Sequence, residues 1–334
     1  GRRIAGTARA FRHSGYCDTD REESLPVGPA SRPLSAAALE LTTLDIGEKV
    51  RLLRVIGRAD SGNDAYSAVA SQTGDDGGAR LGLLWGLLLF SQGSGAIGRV
   101  LRRAAAREQR AAAAGTPLPP EQTLARVFGD GLAALLQATD PDRTPDAEER
   151  LAPIAEGVLW AEPWLARFRA AGALPHVQAA QNEEGVLEIF DRMLPIAAAL
   201  GLSTPRQLAL LVDRAVHMGV GAARSWIMRT AGPIRTQADR DATLALLGAP
   251  SLVDFQRSCG LPPDGQWGPI THAALAGALR RRGGGSGPAL LDAEGVVRAL
   301  LDASRTTDFA DRMAAIASNA VDFDDAVAYE VTGA

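Results

Sequence analysis

One short stretch sets the limits on what this chain can become. From Asp64 to Leu84 the helical spacing of apolar residues that governs most of the sequence is lost. Tyr66 and Val69 lead into the polar run Ser71-Gln72-Thr73-Gly74-Asp75-Asp76-Gly77-Gly78, and Leu81 and Leu83 follow at alternate positions. Alternation on both sides of a turn rich in Gly and Asp is the pattern of a β-hairpin. No other segment reads as strand. Elsewhere Ala, Leu, Arg and Glu dominate and aromatic residues make up only 5% of the chain. Those are good helix formers, so the expected fold is mainly α with one small β-ribbon.

The 334 residues are 46% hydrophobic and 22% charged, an ordinary globular composition and enough chain for two or three folding units. Acidic residues (39) slightly outnumber basic ones (35) for a formal net charge of −4, so a nucleic-acid partner held by phosphate contacts is not expected. Lys49 is the single lysine among the basic residues. Cys17 and Cys259 belong to no CxxC spacing, and His176 and His272 have no ligand-like companions; neither a metal nor a cofactor is expected. The longest apolar run, Leu81 to Phe90, is about half the ~20 residues that a spanning helix needs, so no membrane span is expected. The first residues carry arginines but no apolar core followed by a cleavage site. Cytoplasmic synthesis is therefore expected, with any delivery to the envelope or outside by another route.

Residues 1–44 read as an extended arm. Asp45 and Glu48 form a capping-box pattern at the start of a helix that Asp60-Ser61-Gly62-Asn63 should end. After the hairpin, helices are expected to return from Trp85, with a break at Gly93-Ser94-Gly95 and a long helix over 96–114 that carries five arginines from Arg99 to Arg110. That stripe is a solvated face or, less simply, a polyanion contact. Further helices are expected over 121–137, 147–160, 177–200, 205–218 and 221–230, the fourth opened by Ser203-Thr204-Pro205 and stopped by Gly219. Residues 240–280 read as a compact unit, 281–288 as a Gly-rich linker, and 289–334 as a helical appendix with helices over 289–303 and 307–319 and an acidic end.

Within 240–280, Phe255-Gln256, Gly260-Leu261, Asp264-Gly265, Trp267-Gly268-Pro269, Thr271 and the following Ala-Ala-Leu275 resemble the three-helix peptidoglycan-binding domain found at the ends of many cell-wall hydrolases. Asp264-Gly265 suits a tight turn with the glycine at positive φ. Trp267 is expected to be partly buried against Phe255 and Leu275, and the resemblance makes it a substrate-binding candidate.

Residues 45–235 resemble lysozyme-like glycoside hydrolases, in particular the family-46 chitosanases. The likeness rests on Arg58-Ala59-Asp60-Ser61-Gly62, then Asp64 to Gln72, Gly74-Asp75-Asp76-Gly77-Gly78, Trp85-Gly86 and Ser91-Gln92-Gly93-Ser94-Gly95, and downstream on Pro175 to Gln181 and Asp213 to Gly219. It implies a lysozyme-like α+β core with Asp60 as general acid and Asp75 or Asp76 as base. Glycoside hydrolysis needs one carboxylic acid at the leaving oxygen and one carboxylate opposite, and an inverting separation of about 6.5–9.5 Å is expected. The family carries glutamate where this chain has Asp60, one methylene shorter, and offers polar groups where this chain has Leu81, Leu83, Leu84, Leu87, Leu88 and Leu89.

Four substrate-binding candidates follow from these likenesses: Trp85, Gln178, Gln181 and Trp267. Gln178 and Gln181 lie one turn apart, where they can face a sugar or close an interhelical network. Asp213 and His217 have ion-pair spacing on one helix face, and Trp160 and Trp164 read as packing anchors. The expected function is a peptidoglycan-targeting glycosidase cleaving β-1,4 amino-sugar linkages. Delivery as cargo or within a phage-tail-like or injection assembly is expected, with other subunits of the particle contacting the N-terminal arm and C-terminal helices. The alternative is a wall-binding or scaffolding protein that has lost the chemistry.

Overall fold

A computed structural model describes residues 44–61, 65–74, 80–282, 290–305 and 310–318. The arm before residue 44, the 281–288 linker beyond Arg282 and the acidic end lie outside the described residues. So do Asp75, Asp76 and the side chain of Asp60.

The protein is mainly α, with one three-stranded antiparallel sheet among the described residues. In chain order, helix α1 (Ile46–Ser61) precedes β1 (Val69–Gln72), β2 (Gly82–Trp85) and β3 (Phe90–Ser91). There follow α2 (Ala96–Ala113), α3 (Leu124–Phe128), α4 (Leu132–Thr139), α5 (Ala147–Arg150), α6 (Trp164–Gly172) and α7 (Pro175–Gly185). A π-helical turn, Val186–Phe190, leads into α8 (Asp191–Leu200), α9 (Pro205–Met218) and α10 (Val220–Ala231). The last helices are α11 (Gln237–Leu246), α12 (Leu252–Ser258), α13 (Pro269–Arg282), α14 (Ala293–Ser304) and α15 (Ala310–Ala317). No helix among the described residues is long and apolar enough to cross a membrane.

The described chain forms two compact units, 60–184 and 44–59 with 185–318. This division departs from the expected boundary near 235–240. In the second unit α13 packs along α8, and Arg280 of α13 donates to the carbonyls of Ala199 (3.3 Å) and Leu200 (3.0 Å). Those are orphan acceptors at a helix C-terminus, which a guanidinium satisfies. The three helices α11–α13 still have an apolar cluster of their own, Ile234, Leu244, Phe255, Leu275 and Leu279, against which Trp267 packs.

In the first unit the sheet lies against an aromatic core. Trp85 of β2, Phe128, Trp164 and Phe168 are all fully buried. Trp85 meets Phe168 edge-on at 5.0 Å, and Phe168 meets Phe128 in the same way at 5.3 Å, the geometry that aromatic quadrupoles favour.

Several elements differ from the expected ones. The chain does not return to helix at Trp85: Gly86 (φ 81°) and Leu89 (φ 50°) turn it back, and Phe90–Ser91 pairs with β2 as a third strand. The expected 147–160 helix is a single turn, α5; Pro153 follows it, and Ile154 and Gly157 (φ 102°) pair across a tight loop. The 121–137 helix is divided at Gly129 (φ 58°), which ends α3. The 177–200 helix is continuous in course but changes hydrogen-bond register at the π turn, ahead of Pro195, which lacks an N–H.

Candidate functional site

Helix α1 and the strands that follow it are held by ordinary local chemistry. Helix α1 starts at a reciprocal cap: Glu48 N–H donates to Asp45 Oδ1 (2.8 Å) and Asp45 N–H to Glu48 Oε2 (2.9 Å). It runs through Asp60, which stands in its last turn. The ribbon that follows has the register Val69 opposite Trp85 and Gln72 opposite Gly82. Asp75 and Asp76 fall in the connection between those strands.

Two buried glutamines fix the ribbon in the first unit. Gln181 of α7, wholly buried, accepts from Leu87 N–H (2.8 Å) through Oε1 and donates to the Tyr66 carbonyl (3.0 Å) through Nε2. A Cβ at Gly86 would come within 2.3 Å of Gln181 Oε1, so only glycine admits this approach. Gln92 accepts from Leu83 N–H (3.2 Å) and donates to the Arg150 carbonyl (2.5 Å). Beside them, Tyr66 Oη donates to Asn182 Oδ1 (2.8 Å). Replacing Gln181 by leucine is expected to cost about 1–3 kcal/mol, because it strands the buried Leu87 N–H and Tyr66 carbonyl; chemical denaturation of the full chain measures it.

These contacts correct two of the expected substrate contacts and part of a third. Gln181 spends its amide on the backbone, and Gln178 donates to the Gly172 carbonyl (3.0 Å) at the end of α6. Trp85 is a core side chain with no exposed face, since β2 turns its 83 and 85 side chains inward. The Arg stripe of α2 is neither a bare solvated face nor a polyanion contact. Buried Glu184 accepts from Arg99 (2.6 Å) and Arg103 (3.1 Å), and Glu183 from Arg103 (2.7 Å) and Arg107 (2.9 Å). Helix α7 supplies the anions for Arg99, Arg103 and Arg107, Arg102 pairs with Asp140 and Asp142, and Arg110 is exposed.

The second unit contains a charged cluster of which sequence reading found one half. Asp213 of α9 is fully buried. Its carboxylate accepts from Arg214 (2.8 Å) and from Arg312 Nε of α15, and His217 Nδ1 stands 3.7 Å away. Arg312 also donates to the Ile56 carbonyl of α1 (2.9 Å). Burial by itself would raise the Asp213 carboxyl; the charges of His217, Arg312 and Arg214 outweigh it and hold the group below the usual carboxylate range. Arg312 was not foreseen because it lies 99 residues from Asp213, and nothing local marks it.

In the three-helix region Gln256 is the hub. It donates to Asp264 Oδ1 (2.7 Å), the Gln266 carbonyl (3.1 Å) and Thr271 Oγ1 (3.3 Å), and it accepts from Gly265 N–H (2.9 Å). Gly265 sits at φ 71°, as a tight turn requires. The Gln266 N–H, with the Gln256 amide, holds the Asp264 carboxyl below its usual value. Trp267 is half-buried, with its ring 5.0 Å from that of His272 and the Arg240 guanidinium 5.6 Å from its centre.

His272 accepts from Ile234 N–H through Nε2 (3.3 Å), and burial lowers its pKa to about 4. A base whose folded pKa lies below its unfolded value takes up fewer protons when folded, so stability is full above about pH 6.5 and falls as pH drops toward 4. The melting temperature should decline over that window in the wild type and decline less in His272→Gln, whose amide oxygen can accept the same bond; calorimetry at pH 7 and 4.5 tests this.

No family model, curated protein or solved structure matches the chain. Among the described residues no group of three or more His, Cys, Asp or Glu side chains is arranged to hold a metal ion.

Proposed function

We propose that the chain is a lysozyme-like glycoside hydrolase that cuts β-1,4 linkages between amino sugars, with peptidoglycan as its polymer. The observation that carries the reading is the antiparallel ribbon Val69–Gln72 and Gly82–Trp85. In sequence it comes after a helix with Asp60 in its last turn and the 3-10 turn Ala65–Ser67, and the connection between its strands contains Asp75 and Asp76. A carboxyl at a helix end and a carboxylate in a ribbon turn are the two groups that glycoside hydrolysis requires. The Gln256–Asp264–Thr271 network and the half-buried Trp267 support a wall-binding role for α11–α13.

One observation favours a second reading, a wall-binding protein without the chemistry. Trp85 and Gln181 are buried and Gln178 donates its amide N–H to the Gly172 carbonyl, so two of the four expected sugar contacts are closed to a substrate and a third is partly engaged. Purified sacculi decide between the two. A hydrolase clears their turbidity and releases reducing ends; a binder sediments with them and releases none. A chain that neither clears nor sediments with sacculi refutes both readings.

A further inference from the structure

We infer that Trp160 is a stacking platform for an amino-sugar ring, a binding subsite at the turn end of the ribbon. The inference rests on the proposed glycosidase reading. Trp160 lies in the irregular connection between α5 and α6, which folds on itself through reciprocal bonds between Ile154 and Gly157 (3.0 and 2.6 Å). Unlike Trp85 and Trp164, its side chain is partly exposed.

The ribbon backs this ring. A Cβ at Gly82 would come within 3.2 Å of Trp160 Cζ3 and 2.4 Å of Leu151 Cδ2, so the indole rests against bare strand backbone. Arg80, two residues earlier, sets its guanidinium 6.0 Å from the ring centre. Gly82, at φ 69°, meets the edge of the indole, and Arg80 stands over one face of it.

Position and chemistry point the same way. Gly82 opposite Gln72 is the last pair of β1 and β2 before the connection that holds Asp75 and Asp76. Arg80 is paired with Glu148 at 2.9 Å, and both are exposed, so donors and a carboxylate acceptor stand beside the aromatic ring. A β-1,4-linked amino sugar carries its substituents equatorially, leaving C–H bonds on its two faces. Such a ring can lay one face on the side of the indole that Arg80 does not cover, with the Arg80–Glu148 pair at the border of the subsite.

The test is calorimetric titration of the full chain with the β-1,4 pentamer of N-acetylglucosamine. Trp160→Ala should weaken binding about tenfold, a change worth about 1.4 kcal/mol, while Trp160→Phe stays within about threefold of wild type. Unchanged affinity in Trp160→Ala overturns the platform and leaves the glycosidase reading standing. Failure of the wild type to bind the pentamer also overturns the platform, while the glycosidase reading stands or falls with the sacculi. Should Trp160→Ala not fold, tryptophan emission in a Trp267→Phe background decides. The pentamer should shift the emission when Trp160 is present and leave it nearly unmoved in the added Trp160→Phe variant; a shift that survives that change overturns the platform.

Discussion

Asp213→Ala is expected to destabilise the second unit by about 3–5 kcal/mol, the usual cost of removing one partner from a buried ionic cluster. It leaves the guanidiniums of Arg214 and Arg312 around an emptied anion position. At about 2–4 °C per kcal/mol for a unit of this size, the melting temperature falls by about 10 °C. Arg312→Leu costs less, because Arg214 and His217 still face the carboxylate. The double replacement Asp213→Ala with Arg312→Leu should cost less than the sum of the two single replacements, and the difference measures the coupling between them. The cluster also shapes the acid limb. A carboxyl held below its ordinary value contributes stability that is present above about pH 4 and is lost as pH falls through the folded-state pKa. The Asp213→Ala variant should therefore show a shallower acid transition than wild type. A cost under about 1 kcal/mol would mean that desolvation cancels the ion pairs.

Asp60→Asn is expected to reduce reducing-end release from sacculi by about 10²–10⁴-fold, the span that general acid catalysis contributes, with little change in melting temperature. The proposed glycosidase reading underlies this expectation. Asp60→Glu restores the methylene that the chitosanase pattern carries, and should raise turnover, since displacements of about 1 Å are enough to slow such chemistry substantially. The first-formed sugar should have inverted anomeric configuration, readable by proton resonance, if the carboxyls stand at the wider of the two glycosidase spacings. Hydrolysis untouched by Asp60→Asn would show that another group is the acid. Wild type and Asp60→Glu both silent on sacculi and on chitosan, with binding intact, would favour the scaffold.

Local rules made much of the fold legible. The Asp45–Glu48 cap, the Thr204–Pro205 start and Gly219 stop of α9, and the two-stranded ribbon each depend on residues close in sequence, and each is present. What escaped was decided by distant partners or by a single backbone angle. Leu87 to Leu89 read as helix by composition, yet Gly86 and Leu89 take positive φ and the segment becomes a turn before β3. The α2 arginines looked free because Glu183 and Glu184 lie far downstream. Gln178 and Gln181 have the residue type of sugar ligands, and only the carbonyl and amide groups around them show that they serve the backbone. A sequence marks which side chains can hydrogen-bond but not which group reaches them first.

The Arg312 bond to the Ile56 carbonyl spans 256 residues, and this has a consequence for synthesis. A unit that needs its first and last described helices together cannot close while the ribosome still holds the segment around residue 312. The 60–184 unit, continuous in sequence, has left the ribosome long before that. It is expected to fold during translation, while α1, already made, must wait for its counterpart. Arrest of translation near residue 230 should thus yield a protease-resistant 60–184 core alongside a cleavable α1, and release of the complete chain should protect both.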